Sequence, residues 1–239
     1  MNKIDIVIPT HHRREKLLNC LGSIEQAKKR LDCHCYTYIY YTDIKDLKSD
    51  NIGLSDYKFI LPRLLDKPYK ASQFWNDHLK QTNADMMVYL NDDVVLEIDC
   101  LRRLEAAMNV FFPDTDGVLS IVQDNIPTEQ ACMTAFGAIG SKFADRFPDR
   151  KVFCEDYERM YLDTELGEYA LKHKKLFYEP QKQFAPLLTH FHPAFFPKMR
   201  DKTHDEVRKH LNKDKLTYEK RKKLNLLWGD SFKLIHAKN

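Results

Sequence analysis

Three polar residues, Asn91, Asp92 and Asp93, directly follow an apolar stretch near the middle of the chain. Met86 to Leu90 has the apolar, β-branched and aromatic composition of a buried strand, so the triplet is expected where that strand ends. Open α/β sheets bind ligands at this carboxyl edge. Adjacent carboxylates repel each other unless a cation offsets them, and hard oxygen ligands favour Mg²⁺ or Mn²⁺. An acidic turn that caps the next helix is the alternative, and these residues alone do not separate the two.

The elements around the triplet alternate between strands and helices. The predicted strands of the first half cover residues 4–8, 35–41, 57–61 and 86–90, and the predicted helices cover 14–29, 72–80 and a segment from Asp99 to Pro113. Ser72 is the predicted cap of its helix, and Asp99 of the next. This order predicts an α/β fold with a parallel, doubly wound sheet over about the first 120 residues.

The second half is less regular. Predicted strands lie at 117–122, 135–139, 176–178 and 187–191, a loop at 123–134 and a mostly helical segment at 156–172. The division predicted is one domain over 1–197 and a basic helical extension over 198–239. Leu224, Leu227 and Trp228 fit one face of a helix, which favours a solvated helix packed on the core. The alternative is a basic surface for an acidic acceptor, either nucleic acid or anionic lipid.

Composition excludes several classes of protein. Seven glycines, with no GxGxxG or GxxxxGK[ST] pattern, argue against a glycine-rich phosphate loop. A formal net charge of +3 argues against strong nonspecific DNA binding. The N-terminus enters a strand directly and no apolar run reaches about 20 residues, so a cytoplasmic protein is expected. The six cysteines include one close pair, Cys33 and Cys35, without a second pair to complete a zinc site, so free thiols are predicted.

Further polar residues follow other predicted elements of the first half. The segment Ile4-Asp-Ile-Val-Ile-Pro-Thr-His-His-Arg13 ends the first strand in Pro9-Thr10, and Asp43 ends the second. Lys70-Ala-Ser-Gln-Phe-Trp-Asn76 opens the helix before the triplet.

The second half adds an acidic helix start and a histidine pair. Leu162-Asp163-Thr-Glu165-Leu166 begins a helix, and Pro180 follows 17 residues after Asp163. Beyond it, Leu188-Thr-His190-Phe-His192 forms a predicted strand in which both histidines point to one face.

Taken together, these segments resemble the family 2-type glycosyltransferases of the GT-A fold, over roughly residues 3 to 192. The resemblance implies that a nucleotide-sugar, with a UDP-sugar favoured, is held by a set of residues from the first half. These residues are Pro9, Thr10, Arg13, Asp43, Lys70, Asn76, Asn91 and Asp92. It further implies that Asp93 binds Mn²⁺ or Mg²⁺, although Asn91 stands where the family's DxD motif has its first Asp.

The resemblance also assigns the second half. The family's Glu-Asp-x-Asp-Leu helix carries the catalytic base of inverting members, which implies this function for Asp163 despite Leu162 in the preceding position. Glu155-Asp156 is the competing acidic pair. Some members take a further metal ligand from the position of His190 or His192, and imidazole favours Mn²⁺.

The expected activity is metal-dependent transfer of a hexosyl or pentosyl group to an acceptor hydroxyl. The acceptor is a saccharide or, given the basic extension, a modified nucleic-acid base. Two rivals remain open: a nucleotidyltransferase of related α/β form, and a non-catalytic module that binds nucleotide-sugar or nucleic acid.

Overall fold

A seven-stranded sheet runs through the centre of the protein. The computed structural model describes residues 1–41, 58–60, 70–124, 134–178 and 186–230. Its strands are β1 (Lys3–Thr10), β2 (His34–Tyr41), β3 (Lys58–Ile60), β4 (Met86–Tyr89), β5 (Val94–Leu96), β6 (Val118–Ser120), β7 (Gly137–Gly140), β8 (Leu176–Phe177) and β9 (Leu188–His190). The main sheet has the order β3-β2-β1-β4-β7-β6-β8. Strands β1 to β4 pair in parallel, and β7 runs antiparallel to both of its neighbours. The predicted α/β, mostly parallel sheet is therefore confirmed.

The helices cover both faces of this sheet. They are α1 (Arg14–Lys28), α2 (Ala71–Gln81), α3 (Cys100–Phe111), the single turn α4 (Ser141–Ala144), α5 (Leu162–Lys172) and α6 (Lys202–Lys223). Within the described ranges, no helix is long and apolar enough to cross a membrane. The five cysteines that the structure describes are free thiols, as predicted.

Alternation along the strands produces two hydrophobic cores. Ile4, Ile6 and Ile8 of β1 face one core, where the side chains of α1 and α3 pack. Val7 faces the other, with the apolar side chains of α2 and α5. Successive strand residues point to opposite faces of a sheet, so a strand covered on both faces is mostly apolar. Asp5 is the buried exception in the middle of β1, and it pairs with His78 at 3.0 Å. This is the doubly wound arrangement that the sequence predicts.

Three local predictions need correction. The helix predicted from residue 156 begins only at Leu162, because Tyr161 before it takes a left-handed backbone conformation (φ 67°). Ser72 does not cap α2: Lys70 occupies the cap position, and the Ser72 hydroxyl is buried inside the first turn. The last helix ends at Lys223, so Leu224, Leu227 and Trp228 follow it instead of sharing one helical face.

Strand pairing brings the ends of β1 and β4 together. Val7 of β1 pairs with Tyr89 of β4, and the Leu90 backbone N–H donates to the Val7 carbonyl at 3.1 Å. The turn after Thr10 and the polar triplet after Leu90 therefore emerge side by side at one edge of the sheet.

A second, two-stranded sheet forms just beyond this edge. Strands β5 and β9 pair antiparallel, with Val94 opposite His190, and the Phe191 N–H donates to the Asp93 carbonyl at 2.9 Å. Strand pairing thus brings residues 188–190 next to the triplet, which the sequence pattern does not indicate.

Candidate active site at the carboxyl edge of the sheet

The two carboxylates of the triplet are buried and share one arginine. Asp92 is 2% exposed and Asp93 is 4% exposed. Arg13 Nη1 lies 3.0 Å from Asp92 Oδ1 and 3.1 Å from Asp93 Oδ2. The Thr10 hydroxyl donates to Asp92 Oδ2 at 2.8 Å. Three residues predicted to bind the nucleotide, Thr10, Arg13 and Asp92, therefore meet the predicted metal ligand in one cluster.

The neighbouring carboxylates differ in acidity. Burial raises the pKa of Asp92 to about 6, with the charge of Asp93 adding to the effect and Arg13 opposing it. Burial acts in the same direction on Asp93, but contacts with His190, His204 and Arg13 outweigh it and hold its pKa well below the usual range. Asp93 is thus the carboxylate that stays ionised, which is the form that binds a cation.

Two histidines flank Asp93 from opposite sides. His190 Nε2 lies 3.4 Å from Asp93 Oδ1, and His204 Nε2 lies 3.4 Å from Asp93 Oδ2. The β5–β9 register positions His190, whereas His204 comes from the first turn of α6. The ring of His192 lies 5.3 Å from that of His190 and 5.9 Å from that of His204, and burial lowers its pKa.

The N-terminus of α6 is fixed to this cluster by ion pairs. Asp201 caps the helix by accepting from the His204 N–H at 3.1 Å. The same carboxylate lies 3.1 Å from Arg13 Nε and 2.6 Å from Lys16 Nζ, and these cations hold the pKa of Asp201 well below its usual range despite burial. Thr203 adds a hydrogen bond to the His11 carbonyl at 3.2 Å. Helix α6 is therefore part of the site edge.

The types of donor group in the cluster are those that a divalent metal prefers. Oδ1 of Asp93 is buried and has no hydrogen-bond partner within the described part of the chain. A carboxylate with imidazoles is a donor set that suits Mn²⁺ better than Mg²⁺. As the described residues are placed in this structure, no three acidic, cysteine or histidine side chains are grouped so that they could hold a metal ion. In this structure the Arg13 guanidinium supplies the positive charge between the two carboxylates.

Lys70 and Asn76 lie together in a second group. The Asn76 amide donates to the Phe153 carbonyl at 2.8 Å and to Glu155 Oε1 at 3.2 Å. Lys70 Nζ donates to the Glu155 carbonyl at 2.9 Å and lies 3.5 Å from Glu158. Both predicted nucleotide-binding residues therefore hold the segment that leads to α5, and neither has a described contact with the carboxylate cluster.

The remaining predicted residues are placed as follows. Pro9 lies on β1 opposite Tyr40, and the carbonyl of Asn91 accepts a long contact from the Cys20 thiol at 3.7 Å. Asp43 and Pro180 lie outside the described residues.

Asp163, the predicted base, lies in the first turn of α5. Its carbonyl accepts from the Thr134 hydroxyl, and the Thr134 carbonyl accepts from the Tyr89 hydroxyl at 2.7 Å. Since Tyr89 ends the strand that leads into the triplet, this chain of hydrogen bonds ties the start of α5 to that strand. Of the competing pair, Glu155 binds Asn76, and Asp156 is exposed and pairs with Arg221 at 2.7 Å.

Sequence reasoning missed His204 and Asp201. Both lie within the predicted basic extension, and they are 191 and 188 residues from Arg13, which they contact. The one available signal is local: an acidic residue three positions before His204, at the start of a highly charged stretch, is typical of a helix N-terminus. That signal predicts the helix but not the surface against which it packs.

Comparison with known proteins identifies the fold. No protein-family model matches the chain, and no curated protein sequence matches it. The structure is similar to that of S. aureus TarS 1-349, with a TM-score of 0.53, 12% identity, and coverage of 82% of this chain and 62% of that one. The chain thus spans less than two thirds of that fragment.

Two other solved structures are also similar. The catalytic domain of Drosophila β1,4-galactosyltransferase 7 in complex with xylobiose has a TM-score of 0.56 at 13% identity, with 88% of this chain and 81% of that one covered. The glucosyl-3-phosphoglycerate synthase of Mycobacterium tuberculosis, in complex with Mn²⁺, UDP and phosphoglyceric acid, has a TM-score of 0.54 at 10% identity, with coverage of 74% and 68%. These neighbours have the GT-A fold of nucleotide-sugar-dependent glycosyltransferases, and the chain shares that fold.

Proposed function

We propose that this chain, which has the GT-A fold, is a metal-dependent glycosyltransferase that transfers a sugar from a nucleotide-sugar to a saccharide hydroxyl. One observation carries the proposal: Asp93 is a buried, ionised carboxylate at the ligand-binding edge of the sheet, and each of its two oxygens has an imidazole nitrogen at 3.4 Å. A carboxylate that takes part only in a structural ion pair does not require an imidazole beside each of its oxygens.

Asp93, His190 and His204 would hold the metal, preferably Mn²⁺. When bound, such a metal supplies Lewis-acid stabilisation of the departing nucleoside diphosphate. Mn²⁺ accompanies the nucleotide in several similar structures, including one of β1,4-galactosyltransferase 7 with UDP-Gal and one of a mannosyltransferase with GDP-Man. Thr10 and Arg13 orient Asp92, the carboxylate next to the metal ligand.

Asp163 is the proposed base. In the inverting reaction, the acceptor oxygen forms a bond to the anomeric carbon while the bond from that carbon to the diphosphate oxygen breaks. The acceptor proton passes to the Asp163 carboxylate, and the nucleoside diphosphate leaves with the electron pair. The hydrogen bonds through Thr134 to Tyr89 support this assignment because they fix the first turn of α5 relative to the strand before the metal ligand.

A saccharide is the acceptor that we favour. Two neighbouring structures of β1,4-galactosyltransferase 7 contain xylobiose, and the comparisons lend no support to a nucleic-acid acceptor. Several basic residues of α6 are also engaged by carboxylates elsewhere in the protein. Lys213 pairs with Glu158 at 2.7 Å and Lys222 with Glu168 at 3.1 Å, which favours packing over a surface for nucleic acid.

The test is a donor screen with matched variants. The protein is incubated with UDP-GlcNAc, UDP-Gal, UDP-glucose and GDP-mannose, with Mn²⁺ or with EDTA, and release of the nucleoside diphosphate is measured with and without a panel of mono- and disaccharides. We expect Mn²⁺-dependent release from one donor, its loss in Asp93→Asn and Asp163→Asn, and its retention in Asp114→Asn, an exposed control. If the protein neither bound nor cleaved any of these donors, the proposed glycosyltransferase activity would be excluded.

A further inference from the structure

Helix α6 presents one face to the rest of the protein. The residues of this face recur at alternating spacings of three and four, and all are buried or half-buried: His204, Val207, Leu211, Asp214, Tyr218 and Arg221. At one end of the face, His204 flanks the Asp93 carboxylate at 3.4 Å. The other end contacts the start of α5, in whose first turn the proposed base lies. A single helix therefore touches both halves of the proposed site.

The central contact of this face is made by a buried carboxylate. Asp214 is the single buried residue among the described residues of α6. It accepts hydrogen bonds from three consecutive backbone N–H groups, those of residues 158–160, at 2.8 to 2.9 Å. Burial of a carboxylate is costly unless hydrogen bonds compensate, and an apolar residue would fill the same space at lower cost. Three charge-assisted hydrogen bonds, unlike a nondirectional apolar contact, fix the position of residues 158–160 relative to the helix.

The residue that follows this segment has an unusual backbone conformation. Tyr161, the N-cap of α5, has φ 67°, a value that bulky residues seldom adopt unless the surrounding structure enforces it. Asp214 holds the residue before it, and the Tyr161 ring stacks on that of Tyr218, with centroids 4.9 Å apart and an interplanar angle of 20°. The chain enters α5 directly after Tyr161, so Asp163 lies two residues beyond the point that α6 holds.

Two further contacts of α6 hold the first turns of α5. Arg221 Nε lies 3.2 Å from both carboxylate oxygens of Glu165, which is 3% exposed. The Tyr218 hydroxyl donates to Glu168 Oε1 at 2.6 Å. The start of α5 is therefore fixed by α6 as well as by the hydrogen bonds through Thr134 that lead to β4.

We propose that α6 sets the position of Asp163 relative to the proposed metal ligand Asp93, and that Asp214 is the positioning residue through which it does so. The inference rests on the proposed glycosyltransferase function. His204 and Asp214 are ten residues apart, which is about 15 Å along a helix, so the helix spans from the metal cluster to the turn before the base. Transfer requires the base to meet the acceptor hydroxyl in a defined geometry, and small displacements of such groups lower the rate strongly. Asp214 takes no part in the covalent step.

The first experiment compares Asp214→Asn with Glu219→Gln, an exposed acid of the same helix that serves as the matched control. Transfer kinetics are measured with the donor and acceptor saccharide of the wild type and Mn²⁺, and binding of the corresponding nucleoside diphosphate is measured by isothermal titration. Asparagine keeps the size of the side chain but loses one acceptor oxygen, so kcat per folded molecule should fall by about 10- to 100-fold. The KM for the donor and the nucleoside diphosphate affinity should stay unchanged, because separate contacts attach α6 to the metal cluster. Glu219→Gln should match the wild type in all three quantities.

A second pair of variants tests the backbone conformation of Tyr161. Tyr161→Gly and Tyr161→Val both lose the ring that stacks on Tyr218, but only glycine adopts a positive φ without strain. If the turn positions the base, kcat per folded molecule should be several-fold lower in Tyr161→Val than in Tyr161→Gly, again with unchanged nucleoside diphosphate affinity.

Three outcomes would overturn the inference. Equal kcat values of Asp214→Asn and Glu219→Gln would show that Asp214 does not position the base, and equal losses of kcat and donor affinity would indicate general damage to the site. Equal kcat values of the two Tyr161 variants would exclude a requirement for the turn, and this pair decides the question if Asp214→Asn does not fold by circular dichroism. A wild type that cleaves no donor would exclude the proposed function itself, and with it a base for Asp214 to position.

Discussion

Two buried acidic sites in this protein differ in the number of cations that accompany their carboxylates. Asp116, beside β6, is 6% exposed and is chelated by Arg146, with Lys175 at 2.6 Å from the same carboxylate. One acid therefore has two cations. At the edge of the sheet, Asp92 and Asp93 share a single arginine that also contacts Asp201.

The two arrangements shift the pKa values of their carboxylates differently. Hydrogen bonds from Arg146, followed by Lys175, lower the pKa of Asp116 to about 2, as expected for a carboxylate whose charge is fully offset. At the sheet edge, burial raises the pKa of Asp92 to about 6 while that of Asp93 falls. The charge of Asp116 is balanced by its two cations, whereas the carboxylates at the sheet edge can accept a further cation. This difference separates a candidate metal-binding site from a structural group of ion pairs, and four predictions test it.

The largest effect is expected from Asp93→Asn. Losing a metal ligand removes Lewis-acid stabilisation of the leaving group, and turnover should fall by at least about 100-fold per folded molecule. Asp116→Asn is the matched control, and its turnover per folded molecule should be unchanged. Donor-cleavage rates, normalised to the folded fraction from circular dichroism, provide the measurement. Equal losses in the two variants would remove the distinction between the sites.

The next largest effect is expected at Asp214, a buried carboxylate of α6 that has no ion pair in the described part of the chain and accepts hydrogen bonds from the backbone N–H groups of residues 158–160. Asp214→Ala leaves three backbone N–H groups without their acceptor, and each buried unsatisfied donor is costly, so the free energy of unfolding should fall by about 3 kcal/mol or more. Asp205→Ala removes an acid of the same helix that pairs with Arg200 on the surface, and should cost at most about 1 kcal/mol. Urea denaturation measures both. Similar values would mean that Asp214 does not anchor the turn.

Addition of Mn²⁺ tests directly whether the carboxylate cluster at the sheet edge binds a further cation. A ligand at 100 times its Kd stabilises the native state by about 2.7 kcal/mol, which corresponds to about 5 to 10 °C for a protein of this size. We expect Mn²⁺ to raise the Tm of the wild type, to act weakly on His190→Ala or His204→Ala, and to have no effect on Asp93→Asn. His210→Ala, on the same helix as His204, should respond like the wild type. A full response of Asp93→Asn would place the metal elsewhere.

The smallest effect is the pH dependence of the structural pair. Because the pKa of Asp116 is lowered in the folded state, its contribution is present above the unfolded value of about 4 and is lost as the pH falls toward 2. The shift of roughly two pH units corresponds to about 2 to 3 kcal/mol. Asp116→Asn should be less stable than the wild type at pH 6 and should show a flatter dependence between pH 4 and 2. Parallel stability curves would contradict the assignment.

The first half of the fold was predictable because its signals are local. Apolar runs predicted β1 and β4, helical spacing predicted α1, and the carboxyl-edge rule predicted a ligand site at the triplet. The family resemblance then implied that Thr10 and Arg13 belong to the same site. The structure brings Thr10, Arg13, Asp92 and Asp93 into one cluster, with polar contacts of 3.1 Å or less.

The rest depends on packing between distant segments. Nothing in the sequence of β9 indicates that it pairs with β5, and nothing in α6 indicates that His204 faces Asp93. The start of α5 was predicted too early because helix propensity continues through 156–161, whereas the tertiary contact with Asp214 holds residues 158–160 in a turn. Asp43 lies outside the described residues and stays a prediction, as do the functions of Lys70 and Asn76.

The short β5–β9 ribbon also limits how this protein can change in length. Side chains alternate along a strand, so inserting or deleting one residue between Pro186 and Thr189 would turn the imidazole of His190 to the opposite face. A change of two residues would restore the face but displace the ring by about 7 Å. Natural or designed changes in length before His190 are therefore confined to those that keep its register with Val94 intact.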